Sequence, residues 1–204
     1  MAQAKTLSQT ELDLVLNYVS TKKYALRDRA LILTSFLGGL RVAEIASLKM
    51  GDVLNLDGTI KNEIRLSAAQ TKGKHPRTVF VSQRLQTELA NYLTTRHIKE
   101  ADIPFFHTDH RLGFSANGLC VWFYQLYKNV GISGGSSHSG RKFFITTLAN
   151  KGIGVRILAS LASDQPHIDL DSTKIRKVLG WKPTVKLEDG LTRTIEYWKK
   201  KLAA

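Results

Sequence analysis

The chain has 204 residues, with 30 Lys and Arg against 17 Asp and Glu, a formal net charge of +13. Its 43% hydrophobic and 8% aromatic content and its single cysteine exclude a disordered tail, a collagen-like fibre and a disulfide scaffold. A chain of this length buries a core without staples, and the positive excess points to nucleic acid before any other partner.

Cys120 has no intrachain partner, Met1 to Thr10 holds no apolar signal region, and no window is long and apolar enough for a membrane span. A cytoplasmic protein without membrane contact is therefore expected. The charge is uneven. Residues 1–161 hold 21 basic and 11 acidic side chains, net +10, and residues 162–204 hold 9 and 6, net +3.

Ser8 with Glu11 three residues on predicts a capping box and a helix to about Thr21. A second helix is predicted from Leu26 to Leu37, stopped by Gly38-Gly39. A third covers Val42–Leu48, with Val42, Ile45, Ala46 and Leu48 at helical spacing. The period then changes. Ile60, Ile64 and Leu66 alternate with polar residues, and Val79-Phe80-Val81 follows a basic turn, Gln70 to Arg77, which predicts two strands and a hairpin. Further helices are predicted at Gln83–Arg96, Ala116–Val130, Gly140–Lys151 and Gly154–Leu161. Tyr124 and Tyr127, among Trp122, Phe123 and Leu126, read as core. The class is mostly α with a small antiparallel β-sheet.

Four basic residues sit beside structural punctuation. Arg41 opens a helix after the glycine break, Lys72 lies in the hairpin turn, and His138 and Arg141 are three apart. Two guanidinium forks, an ammonium and an imidazole suit a phosphodiester. Arg grips the non-bridging oxygens in bidentate fashion, and Lys or His protonates a leaving oxygen. Singly, each has a bland reading as a solvated charge.

The run Gly39-Leu40-Arg41-Val42-Ala43-Glu44-Ile45-Ala46-Ser47-Leu48 with Asp52-Val53 resembles the first box of the tyrosine recombinase (phage integrase) catalytic domain. Thr71-Lys72-Gly73-Lys74 with Arg77 to Val81 resembles its catalytic-lysine hairpin. His138-Ser139-Gly140-Arg141 with Thr146 to Ala149 resembles its second box. The resemblance covers about residues 5–161. It implies a DNA breaking and rejoining domain at 1–161, in which Arg41 and Arg141 clamp the scissile phosphate, His138 assists proton transfer and Lys72 is the general acid. It also implies Lys74, Arg77 and Lys142 on the DNA backbone, no cofactor and no metal, and a tetramer on two duplexes when strands are exchanged. A separate DNA-clamping domain is expected to be absent, with a face of Lys22, Lys23, Arg27, Arg29 and Arg111 beside the residues above gripping the duplex instead.

In that family a Leu-Gly-His box and then a tyrosine nucleophile follow. Here Ser163-Asp164 and Thr173 stand at those places. The expectation is site-specific recombination impaired at its nucleophile. The alternative is a non-catalytic DNA-binding module or a degenerate mobile-element remnant. Tyr197, beside Lys199, Lys200 and Lys201, is the remaining nucleophile candidate, against a packing role on the last helix. Residues 169–202, with Gly180-Trp181-Lys182-Pro183, resemble the end of nucleotide-sugar epimerases and dehydratases, so 162–204 reads as a fused, atypical segment. The glycine-rich dinucleotide loop of those enzymes is absent, and no nucleotide-sugar cofactor is expected. That segment is expected to form helices at Thr173–Leu179 and Leu187–Leu202, the second with Leu187, Leu191, Ile195 and Trp198 on one face.

Overall fold

The structure is a computed structural model and describes residues 4–97, 100–109 and 113–153, with the single residues Leu161, Asp189, Thr192, Arg193 and Glu196. The chain divides into two compact units, Met1–Pro166 and His167–Ala204. In the second, the described Asp189, Thr192, Arg193 and Glu196 are helical and exposed. Leu161 is helical, and the rest of the helix expected at 154–161, the one expected at 173–179 and the rest of the one expected at 187–202 lie outside the described residues.

In the first unit the described elements are α1 (Gln9–Ser20), α2 (Ala25–Gly38), α3 (Val42–Ser47), α4 (Met50–Val53), β1 (Glu63–Leu66), a 3-10 turn at Ala68–Gln70, β2 (Arg77–Phe80), α5 (Gln83–Leu93), α6 (Ala116–Val130) and α7 (Ser139–Asn150). The capping box of α1 is formed: the Glu11 N–H donates to Ser8 Oγ at 3.1 Å and the Ser8 N–H to Glu11 Oε2 at 2.9 Å. The hairpin also forms, with Ile64 opposite Val79 and Leu66 opposite Arg77. α4, only four residues long, had no periodic signal to announce it.

α2 is the central helix. Ala30, Leu31, Ile32, Leu33 and Phe36 are at most 1% exposed, and α1, α5 and α7 pack around it. A helix apolar on every side belongs inside a layered core. α7 lies against it at a glycine. A Cβ on Gly140 would stand 2.8 Å from Phe36 Cδ2 and 2.9 Å from Ser35 Cβ, and would overlap Ser35 Oγ. Gly140→Ala is therefore expected to lower stability by about 1–2 kcal/mol, because overpacking outweighs the gain in helix propensity. Urea unfolding measures it, and a midpoint at or above wild type would mean that α7 sits further from α2.

Tyr127 is buried as expected, at 1% exposure, but Tyr124 is 58% exposed. The buried face of α6 is Leu119, Phe123, Leu126 and Tyr127. At about 100° per residue, position 124 falls more than 100° from the centre of that face. The neighbouring aromatics had suggested core where the helix turns to solvent.

Candidate functional site

The site grows from the end of α2. Gly39 caps that helix in the left-handed conformation, φ 64°, and its N–H returns to the Ser35 carbonyl at 3.1 Å. Gly suits this position because no Cβ opposes a positive φ. The chain then reverses, and two residues later Arg41 becomes the N-cap of α3. From a hundred residues away, α7 delivers Arg141, whose Nη1 donates to the Gly39 carbonyl. Arg141 is 8% exposed. His138 caps the same helix and is exposed. The α7 N-terminus therefore brings Arg141 to the α2–α3 turn that carries Arg41, with His138 one helical turn before Arg141.

A carboxylate lies beneath the arginines. Glu44, on the third residue of α3, is 0% exposed. Its Oε2 accepts the Arg41 N–H at 2.7 Å and Arg77 Nη2 at 2.6 Å. Its Oε1 accepts Arg77 Nε at 3.1 Å and Arg41 Nη1 at 3.3 Å. Burial works to raise the Glu44 carboxyl. The Arg77 fork, the Arg41 N–H and the Arg141 charge outweigh it and hold the carboxyl below its ordinary value. Glu44 thus fixes Arg41 at backbone and guanidinium and joins α3 to the hairpin. It stands inside the first sequence box, but no role follows from its position there. The usable signal was a single acid amid Val42, Ala43, Ile45 and Ala46.

Arg77 lies elsewhere than on the outer face. Its side chain is 8% exposed, and its remaining Nη1 donates to the Leu161 carbonyl at 3.2 Å. The strand period explains this. Arg77 shares its side of β2 with the buried Val79 and sits opposite the buried Leu66. A guanidinium so committed holds Glu44 and the Leu161 carbonyl and is nearly closed to solvent.

The hairpin is bolted down at both ends. Gln70 Nε2 donates to Asp52 Oδ2 at 2.9 Å and to the Ser47 carbonyl at 3.3 Å, and Arg77 holds Glu44. Between them the buried Thr71 donates its hydroxyl to the His75 carbonyl at 2.8 Å. Lys72 and Lys74 extend from this turn and are exposed. Lys74 adopts φ 56°, unusual for a non-glycine residue.

Other residues of the expected basic face have protein partners. Arg27 pairs with Asp28 at 2.8 Å and is buried, and Arg29 pairs with Glu88 at 2.6 Å. Arg27 is thereby corrected from a surface contact to a buried ion pair, and Arg29, with its side chain 28% exposed, to a partly buried one. Lys22 and Lys23 are exposed, over the rings of Tyr18 and Tyr24. Lys142 reaches the Ala4 carbonyl at 2.6 Å. Arg111, Asp164, Thr173 and Tyr197 lie outside the described residues.

The model of the phage integrase family matches residues 5–181. The chain belongs to the phage integrase family. The match runs twenty residues past the boundary suggested at 161. Among its curated relatives, the tyrosine recombinase XerA of Pyrococcus furiosus is 28% identical over 174 residues, 84% of this chain and 56% of that protein. The chain therefore spans just over half the length of that relative. Two solved structures share the fold. The XerA recombinase has a TM-score of 0.67 at 20% identity, covering 91% of this chain and 66% of that one. The Tn1549 transposon integrase in complex with circular intermediate DNA has a TM-score of 0.65 at 15% identity, covering 97% and 68%. No helix among the described residues is long and apolar enough to cross a membrane.

Proposed function

We propose that the chain is the phosphodiester-transfer unit of a site-specific DNA recombinase acting on double-stranded DNA. The observation that carries this reading is the convergence of Arg41 and Arg141 on the Gly39 turn, with Glu44 aligning them from below. Two guanidinium forks supply paired donors to the non-bridging oxygens, and stabilise the charge that develops there as phosphorus is attacked. His138 orients or relays a proton. Lys72 donates one to the leaving 5′ oxygen. A tyrosine hydroxyl attacking phosphorus would leave a 3′-phosphotyrosyl bond and a free 5′ hydroxyl, and the reverse attack reseals a strand without ATP or a metal. Full exchange would use four copies on two duplexes.

Thr173, at the place expected for that tyrosine, favours a second reading: a DNA-binding module that no longer cuts, or a degenerate mobile-element remnant. Tyr197 is the nucleophile candidate under the first reading. The segment from 162 to 204 is read as a fused, atypical end, on its resemblance to nucleotide-sugar enzymes, and no nucleotide-sugar chemistry is proposed for it.

A nicked suicide duplex separates the readings, because the cut strand diffuses away and traps the covalent protein–DNA adduct. The first reading expects an adduct that Tyr197→Phe abolishes. Salt-dependent binding with no adduct supports the module, with log Kd against log salt reporting the number of phosphates neutralised. Absence of any DNA binding would sink both.

A further inference from the structure

The segment ahead of α1 is tied to the loop that presents His138. Leu7 is 3% exposed and anchors it in the core. The Lys5 ammonium meets Glu11 of the capping box. The Lys5 backbone N–H donates to the Gly134 carbonyl at 2.9 Å, and Lys142 Nζ donates to the Ala4 carbonyl at 2.6 Å. Gly134 lies four residues before His138, and Lys142 four after it, where its own N–H donates to the His138 carbonyl at 3.0 Å. Two consecutive residues, Ala4 and Lys5, thus hold both limbs of the turn that carries the exposed imidazole.

That turn needs holding. It opens with Gly131 at φ 80° and contains Gly134 at φ 74°, residues whose backbone moves at little steric cost. Ile132 anchors its start, with its N–H on the Tyr127 carbonyl at 2.9 Å, but around His138 the ties within the turn are short-range: the Ser136 N–H donates to Ser139 Oγ at 3.0 Å, the Ser139 N–H to the Ser136 carbonyl at 2.9 Å and the His138 N–H to Ser136 Oγ at 3.3 Å. Arg141 follows one residue after the buried contact of Gly140 on α2, so it is fixed by packing, whereas His138 stands in the looser turn ahead of it.

We propose that Ala4–Leu7 is a strap that positions His138, and that Lys5 and Lys142 are its positioning residues, Lys142 acting on the protein's own backbone and not on a DNA phosphate. The role given to His138 rests on the proposed function; the strap itself is testable without it.

The test uses the full chain and four variants. Lys142→Met removes the ammonium and keeps the stem, and Lys142→Arg restores a donor. Lys5→Pro removes the N–H that meets Gly134, and Lys5→Ala keeps that N–H while losing the Glu11 contact. Amide hydrogen exchange over residues 131–138 is read without DNA. Lys142→Met and Lys5→Pro are each expected to speed exchange there about 5- to 10-fold, the size of one lost hydrogen bond. The double variant should fall short of the product of the two, since both break one clamp. Lys5→Ala and Lys142→Arg should stay near wild type.

Where adduct forms, the two disruptive variants should slow it without changing the salt slope of binding, and Lys142→Arg should restore the rate. Wild-type exchange in Lys142→Met, or a salt slope lowered by about one in that variant with Lys5→Pro unaffected, overturns the strap and assigns Lys142 to phosphate. If the wild type binds no DNA, the functional reading fails while the exchange result still decides the strap.

Discussion

Replacing Glu44 by Gln is expected to destabilise the protein by about 3–5 kcal/mol, the cost of removing one partner from a buried ion pair. The substitution keeps the shape of the side chain and removes its charge. Arg77, 8% exposed and forked on both carboxylate oxygens, would then face a neutral amide in a place water barely reaches. Such a loss is a large share of the roughly 5–15 kcal/mol that holds a domain folded. Urea unfolding measures it. Adding Arg77→Met should recover part of the loss, because it removes the stranded charge.

The pH dependence has a definite sign. The folded carboxyl of Glu44 lies below its ordinary value of 4.5. The stability it contributes is therefore present above that unfolded value and is lost as pH falls through the folded one. The gap between wild type and Glu44→Gln should be widest near neutral pH and should narrow in acid. A variant within about 0.5 kcal/mol of wild type, the range of an ordinary surface substitution, would show that Glu44 does not hold the hairpin on α3.

Much of this architecture is legible in the sequence because its signals are local. Ser8 and Glu11 announce α1 by a reciprocal cap, Gly39 ends α2 by its left-handed φ, and α6 spans the predicted residues. Arg41, Lys72, His138 and Arg141 are marked by the breaks beside them. What escaped depends on partners distant in the chain. Arg27 and Arg29 look like surface charges until the His107 carbonyl and Glu88, 80 and 59 residues further on, are seen to hold them. Arg77 looks like an exposed cation until its strand parity is counted from Val79, a local rule that is outweighed in the sequence by the basic turn beside it. Lys142 follows Arg141 directly, yet its partner Ala4 lies 138 residues away. Charge counts also mislead on this point, since several of the cations in the first 161 residues are neutralised inside the fold.

The hairpin lysine carries the other large effect. On the proposed reading, Lys72→Met should slow strand cleavage about 10²- to 10⁴-fold, the usual contribution of a positioned general acid. Gln70 and Arg77 anchor the turn on either side of Lys72, so the substitution removes a proton donor without releasing its platform. Affinity for intact duplex should change by less than about threefold, since one exposed ammonium among many contributes little to binding. The decisive measurement uses a duplex whose scissile 5′-bridging oxygen is replaced by sulfur. A thiolate leaves without help, because a thiol loses its proton far more readily than an alcohol. Lys72→Met should therefore recover most of its lost rate on the sulfur substrate. Lys74→Met is the control: it should lower the salt slope of binding by about one and show no sulfur rescue. Equal slowing of Lys72→Met on both substrates would assign Lys72 to holding the DNA and leave the leaving oxygen to another acid. His138, at the cap of α7, is then the group to test next on the same pair of substrates.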